Sequence, residues 1–294
     1  MHGVLVIDKP TGMSSATAVD HVRRTLGVAR AGHGGTLDPI ATGVLPICVG
    51  AGTKIAQFLL ADDKAYIADG VLGIETDTLD RTGRVTGERA VSVSRDALVR
   101  ALEAHLGAQT QIPPMYSAIK QGGVRLYDRA RAGEEVERAP RAIRIDRLEL
   151  LAFEPPRFRI AVACSKGTYI RSLVADIGQA VAAGAHLAEL RRTRSGRFTI
   201  EQAVTLDRLG EATLIPPDQA IDLARATVPA ALVAQVLSGV QLPADALGVA
   251  GDEQFKLLDE TGRLLAVVHA ETGRTVYDRV FPELTGRREG RPGA

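Results

Sequence analysis

The chain has 294 residues, 45% of them hydrophobic and 24% charged, with a formal net charge of +1 at neutral pH. That length and composition describe a folded globular protein with room for two domains, and they exclude wholesale disorder and a collagen-like repeat. The small net charge excludes a partner held by overall basicity, so any contact with a polyanion has to come from local clusters.

Gly3 to Asp8 reads as a strand, and it meets Asp8 and Lys9 before a secretory apolar segment can form. No run of about 18 apolar residues follows, which predicts a cytoplasmic protein without a membrane span. Ser14 or Ser15 then caps a helix with Val19, Val22 and Leu26 on one face, stopping at Gly27. Ala29 to Pro39 reads as a glycine-rich loop, Thr42 to Gly50 as a buried strand, Lys54 to Leu60 as a short helix and Ala65 to Gly73 as another strand. Ser94 to Leu106 carries a cap, an apolar face (Leu98, Ala101, Leu102) and a terminating Gly107, the pattern of a helix.

Two strands, Ala142 to Phe153 and Arg157 to Cys164, flank Glu154-Pro155-Pro156 and predict an antiparallel hairpin. They lead into Thr168 to Ala182, where Ile170, Leu173, Val174, Ile177 and Val181 have helical spacing. Lys166 to Arg171 therefore spans a strand-to-helix junction, a place where a side chain is held rigidly at a cleft. Past Ala203 the texture changes, with a helix expected near Pro229 to Leu237. Short strands follow at Phe255 to Asp259, Leu264 to Val268 and Val276 to Phe281. Without a regular strand-helix repeat, the order of elements predicts an α+β fold followed by a small β-rich C-terminal domain.

The charges are uneven. Between Lys120 and Arg147 eight basic residues face five acidic ones; Arg191, Arg192, Arg194 and Arg197 form a denser cluster, and Arg287, Arg288 and Arg291 make the C-terminus basic. Cys48 and Cys164 each lie in an apolar run, which predicts buried, reduced thiols, and the six histidines form no ligand set, so no metal site is expected.

Asp38 stands in Gly32-His33-Gly34-Gly35-Thr36-Leu37-Asp38-Pro39. On local grounds an aspartate before proline is a turn residue. The glycines do not make a phosphate loop either, because neither this run nor Gly50-Ala51-Gly52-Thr53-Lys54 supplies Gly-x-x-x-x-Gly-Lys-Ser/Thr. The wider pattern is more specific. Val4 to Ser15, the Asp38 loop, Asp63-Lys64-Ala65-Tyr66, Gly73 to Asp80, Gln111 to Lys120, Cys164 to Arg171 and His186 to Arg192 together resemble the TruB family of pseudouridine synthases.

The resemblance implies a mixed, largely antiparallel catalytic sheet with flanking helices over residues 1–230, and an RNA-binding insertion at about 112–140. A PUA-like domain over 231–285 and a basic tail over 286–294 complete the expected plan. It implies a cofactor-free isomerisation of the T-loop uridine of tRNA, position 55, in a monomeric cytoplasmic enzyme. Asp38 is then the nucleophile and Arg171 the cation that orients it. Tyr66 is the platform for the base and a possible proton-transfer group, and His33 fills the space the flipped nucleotide leaves. Tyr169 and Leu190 line the pocket, Lys9 supports its floor or contacts the RNA substrate, and Arg191, Arg192 and Arg194 meet phosphate. Gly34 departs from the threonine common in the family and is expected to loosen the loop. Two other readings stand beside this one: an RNA-binding chaperone of the same fold, and a guide-RNA-dependent subunit acting on ribosomal RNA. All of Asp38, Tyr66 and Arg171 are present, which a non-catalytic descendant has no chemical reason to need.

Overall fold

A computed structural model of the protein describes residues 1–117, 120–122, 124–125, 129, 136–251 and 253–285. In chain order the first elements are β1 (Gly3–Lys9), α1 (Ser15–Thr25), β2 (Ala31–His33), β3 (Ala41–Val49), α2 (Ala56–Leu60) and β4 (Lys64–Leu72). A small hairpin, β5 (Ile74–Thr76) and β6 (Val85–Glu88), precedes α3 (Arg95–Ala104) and β7 (Gly107–Gln111). After the two-residue strands β8 (Lys120–Gln121) and β9 (Val124–Arg125) come β10 (Arg141–Glu154), β11 (Arg157–Cys164), α4 (Ile170–Ala180), β12 (Ala185–Ser195) and β13 (Phe198–Thr199).

Nine strands make one sheet in the order β1-β3-β12-β4-β11-β10-β7, with β2 beside β3 and β13 beside β12. Every pairing is antiparallel except β3 with β12. That parallel contact spans only Leu190–Ala41, Arg191–Thr42 and Arg192–Gly43, so two half-sheets are joined at a narrow seam. The fold is the mixed, largely antiparallel α+β arrangement expected. Strand β1 shows why its sequence is apolar without alternation: Leu5 and Ile7 face a core with α1, α3 and α4, while Val4 and Val6 face a second core on the other side.

Several elements differ from the sequence reading. Ala31–His33, expected as loop, pairs with β3, and β7 was not anticipated. The largest omission is β12, a central strand that binds both half-sheets. Its Arg191, Arg192 and Arg194 break the apolar run by which a buried strand is recognised. The helix expected from Thr168 starts at Ile170, with Tyr169 as its N-cap.

The second core carries the C-terminal part. There β14 (Ala224–Thr227), β15 (Phe255–Leu258), β16 (Leu264–Glu271) and β17 (Arg274–Val280) form a four-stranded sheet whose first strand lies ahead of residue 231. Leu264, Val267 and Phe281 pack with Val4, Val6 and Phe58, so this sheet shares a core with the large one. Residues 118–119, 123, 126–128 and 130–135 of the expected insertion lie outside the described residues, as does the expected basic tail, 286–294. No helix among the described residues is long and apolar enough to cross a membrane.

Candidate active site

Asp38 lies in the loop between β2 and β3, directly before the seam of the half-sheets. The loop is held from three sides. The buried Ser15 hydroxyl, in the first turn of α1, donates to the Leu37 carbonyl (3.0 Å) and accepts from the Leu37 N–H (2.8 Å). Beyond Asp38, the Gly12 N–H donates to the Pro39 carbonyl (2.7 Å) and the Thr11 hydroxyl to the Ile40 carbonyl (3.2 Å). From below, Arg192 donates to the carbonyls of Val44 (2.7 Å), Thr36 and Gly35 (both 3.3 Å). Gly43 permits this approach: its φ is +100°, and a Cβ there would stand 2.2 Å from the Arg192 carbonyl. Gly34 is also a packing residue, because a Cβ would lie 2.8 Å from the Leu59 Cβ. The expected loosening is thus replaced by close contact with α2.

Arg171, on the first turn of α4, is 4% exposed, and its Nε stands 2.9 Å from Oδ2 of Asp38, whose side chain is 37% exposed. Its Nη1 donates to the Thr78 carbonyl (3.0 Å) and its Nη2 to the Tyr116 carbonyl (2.8 Å). Nε meets the carboxylate at ion-pair distance without hydrogen-bond alignment. Asp80 lies 3.9 Å from the same Nε and accepts from the Thr78 hydroxyl (2.9 Å), the Thr82 N–H (2.9 Å) and the Thr82 hydroxyl (2.6 Å). Leu79, between them, has φ of +61°, a left-handed backbone unusual for a bulky residue. The turn Thr76–Thr82 is therefore built tightly around the guanidinium.

These groups open on a cavity of about 280 Å³, whose lining includes Asp38, Lys64, Tyr66, Tyr169, Arg171 and Leu190. That is at the small end of ligand cavities and suits one base. Tyr66 sits in β4 opposite Val162 and Arg192. Burial pushes its phenol above the ordinary value, outweighing the Arg192 guanidinium beside it. A phenol so placed stays protonated, which equips it to stack or donate and weakens it as a base. Tyr169 is fixed through its backbone: its N–H donates to Oε1 of the buried Gln111 (2.8 Å), and Nε2 of Gln111 donates to the Tyr169 carbonyl (3.1 Å). Among the described residues no three His, Cys, Asp or Glu side chains converge as metal ligands. The thiols are buried, with Cys48 pushed up to about 12 and Cys164 to about 11 by burial.

The structure thus brings Asp38, Arg171, Tyr66, Tyr169 and Leu190 around one cavity. Lys9 is fully buried beneath it, donating to the carbonyls of Pro10 (2.8 Å) and Met13 (2.7 Å); burial pushes it down to about 8 against the pull of Asp38. His33 lies in β2 with Nδ1 buried and unpartnered, and burial, then Arg192, pull its imidazole below the ordinary value, so it is neutral at pH 7. The basic cluster divides. Arg191 pairs with Asp8 at 2.7 Å, and the half-buried Arg194 donates to the Gly196 carbonyl (3.2 Å). Arg192, at 1% exposed, does not reach a surface where phosphate would lie; its donors are needed by the loop carbonyls. The sequence offered Ser15 only as a candidate helix cap and gave no role to Lys64, Asp80 or Gln111, although each falls within or at the edge of one of the seven motifs.

The TruB family pseudouridylate synthase N-terminal domain matches residues 23–170, and the tRNA pseudouridylate synthase B C-terminal domain matches residues 171–245. The chain belongs to the TruB family. A tRNA pseudouridine synthase B of Pseudomonas paraeruginosa is 54% identical over 207 residues, 70% of this chain and 68% of that protein. Its counterpart in Symbiobacterium thermophilum is 50% identical over 245 residues, covering 81% and 82%. Among solved structures, the crystal structure of a Cbf5-Nop10-Gar1 complex superposes with a TM-score of 0.73 at 26% identity, over 95% of this chain and 84% of that one.

Proposed function

We propose that the protein isomerises the T-loop uridine of tRNA, position 55, to pseudouridine, with Asp38 as covalent nucleophile, Arg171 as its orienting cation and Tyr66 as the platform for the extracted base. The observation that carries this reading is the 2.9 Å pair of a buried Arg171 and a half-exposed Asp38 at the mouth of a base-sized cavity. A carboxylate is charged at neutral pH, so it needs orientation more than activation, and a fixed guanidinium supplies that. In attack on the sugar, the Asp38 oxygen bonds to C1′ as the C1′–N1 bond breaks and its electron pair stays on uracil. In attack on the ring, the oxygen bonds to C6 and the C5=C6 pair moves toward O4. On the second route C1′–N1 then breaks; on both, C5 bonds to C1′, the bond to Asp38 breaks and the C5 proton is released, and both ask for the same residue in the same place.

The base reaches the cavity by leaving its stack. A neutral His33 suits insertion among the remaining bases, and the Tyr66 ring offers a stacking face contributing on the order of 1 to 3 kcal/mol. In this reading the large sheet and its helices catalyse, the C-terminal sheet that begins with β14 contacts RNA, and the enzyme works as a cytoplasmic monomer without cofactor. Replacing Asp38→Asn is expected to reduce pseudouridine formation by at least about 10⁴-fold, as loss of a nucleophile does elsewhere, while tRNA binding persists. Retained turnover in that variant would sink the proposal. A second reading, a subunit that depends on guide RNA, is motivated by the likeness to the Cbf5-Nop10-Gar1 complex. Turnover of an unmodified T-arm hairpin by the purified protein, with nothing added, separates the two: conversion favours the stand-alone enzyme.

A further inference from the structure

One buried ionisable side chain of the cavity has no part in the steps above. Lys64 opens β4 two residues before Tyr66, so strand alternation puts both on one face, and both line the cavity with Asp38. Lys64 is 7% exposed. Its Nζ donates to the carbonyls of Leu60 (3.1 Å) and Asp62, just past α2. An ammonium has three N–H donors. Two are in use, and the third has no partner among the described residues.

A lysine at the end of a helix is a common cap, and capping alone accounts for the bond to Leu60. It does not account for burying the ammonium near Arg192, a second cation, in the wall of a cavity. Bringing like charges into a dry site is unfavourable unless an anion joins them. Asp38 is already matched by Arg171. Asp62 and Asp63 also act on Lys64, but neither carboxylate comes within ion-pair distance of Nζ and Asp63 pairs with Arg144, so the third N–H of Lys64 faces whatever enters.

We infer that Lys64 donates its third N–H to a carbonyl oxygen of the extracted uracil and stabilises the negative charge which that oxygen gains as the reaction proceeds. The inference rests on the pseudouridine synthase reading. Uracil presents acceptors at O2 and O4, whereas cytosine carries an amine donor in place of O4, so a contact at O4 also rejects cytosine. The charge argument holds for either point of attack. When C1′–N1 breaks, the pair left on N1 spreads to O2 and O4; when C6 is attacked, charge moves to O4. An ammonium fixed beside that oxygen favours the transition state over the bound substrate. Lys64 stays protonated throughout.

Burial, and after it Arg192, push Lys64 down to about 8 against the pull of Asp62 and Asp63. The other ionisable neighbour, Cys164 on β11, is pushed up to about 11. Lys64 is then charged at pH 7, and activity that needs the ammonium falls as pH rises through about 8. Lys9 is also pushed to about 8, from β1, and is the competing source of such a limb.

The test measures single-turnover rates of the full chain on tRNA transcript across the neutral to alkaline range, for wild type, Lys64→Met and Lys64→Arg. Lys64→Met is expected to slow the step about 10²-fold, as loss of an oxyanion donor does, with tRNA affinity unchanged. Lys64→Arg, charged at all these pH values, is expected to lose the alkaline limb although Lys9 is still present. Sulfur in place of O2 or O4 of the target uridine is expected to slow wild type and to add nothing to Lys64→Met. A Lys64→Met rate equal to wild type, a limb retained in Lys64→Arg, or a sulfur effect undiminished in Lys64→Met overturns the inference. If Lys64→Met does not fold, the Lys64→Arg profile decides. A wild-type protein inert on tRNA instead overturns the function on which the inference rests.

Discussion

Beneath the Asp38 loop the protein buries Lys9, Lys64, Arg171 and Arg192, none more than 7% exposed. The core of the C-terminal sheet, by contrast, is a set of Val, Leu and Ala side chains around Val236, Leu257 and Val268, and there Thr275 is the fully buried polar residue. Both regions exclude water. The difference lies in what each has to hold. An apolar core fixes strands against one another, and hydrophobic burial suffices because strands satisfy their own backbone groups. The catalytic floor has to fix a glycine-rich loop whose carbonyls no strand partners. Each buried cation there donates to backbone carbonyls, most of them in this loop or in the turns and segment ends around it: Arg192 to residues 35, 36 and 44, Arg171 to 78 and 116, Lys9 to 10 and 13, and Lys64 to 60 and 62. Charge is buried where loop geometry must be exact to a fraction of an ångström for covalent attack.

The most direct way to break this contrast is Arg192→Met, which makes the floor as apolar as the C-terminal core. Three carbonyls lose their donor, those of Val44 and Gly35 in buried bonds and that of Thr36 in a part-buried one, and leaving such groups unpaired costs about 2–3 kcal/mol after the desolvation of the guanidinium is relieved. Urea denaturation is expected to show a lower midpoint with an unchanged slope. A midpoint equal to wild type would mean that the loop carbonyls find other partners and that the cation is not what holds them.

The same contrast accounts for what the sequence made legible. Strands β1, β3, β4, β10 and β11 and helices α1 and α3 follow from apolar periodicity and caps, with Ser14 accepting from Thr17 and Ser94 from Ala97, as their positions suggest. Asp38, Tyr66 and Arg171 became legible only through seven motifs taken together, because an aspartate before proline carries no chemical signal of its own. Strand β12 stayed hidden for the reason that makes it functional: its Arg192 sits in the interior, where the rule that charges face water fails, and Arg191 and Arg194 are half-buried beside it. The role of Arg192 was misread for the same reason, since a basic cluster in a sequence does not say which of its members point inward.

Gly34 sharpens the contrast on the scale of a single methyl group. A threonine at this position would place its Cβ 2.8 Å from the Leu59 Cβ. Gly34→Thr is expected to cost about 1–2 kcal/mol through overpacking against α2, read as a lower melting temperature. Turnover below that temperature is expected to persist, since Ser15 and Arg192 still hold the residues around Asp38. A melting temperature that rises instead would show that the added hydroxyl gains more for the loop than the contact with Leu59 loses.

The smallest effect is expected where the two regions meet. Lys54, from the turn before α2, donates to the Val280 carbonyl (2.9 Å) and to Glu283 (2.9 Å), and lies 5.9 Å from the centre of the Phe281 ring. Unlike the four buried cations, its side chain is 27% exposed and its partner's 29%, so solvent screens the pair. Lys54→Met is expected to lower stability at pH 7 by no more than about 1 kcal/mol. Burial raises the Glu283 carboxyl, but the Lys54 hydrogen bond, a backbone hydrogen bond and the Lys54 and Arg30 charges together outweigh it, and the net direction is down from the ordinary 4.5. A carboxyl lowered on folding stabilises the native state above its unfolded value and loses that contribution as pH falls through its folded one. The difference between wild type and Lys54→Met is therefore expected at neutral pH and to shrink well below pH 4.5. Because Leu264, Val267 and Phe281 still share a core with the large sheet, both proteins are expected to unfold in one transition. A second transition in the variant would show that this one exposed cation, rather than the shared apolar core, couples the C-terminal sheet to the catalytic one.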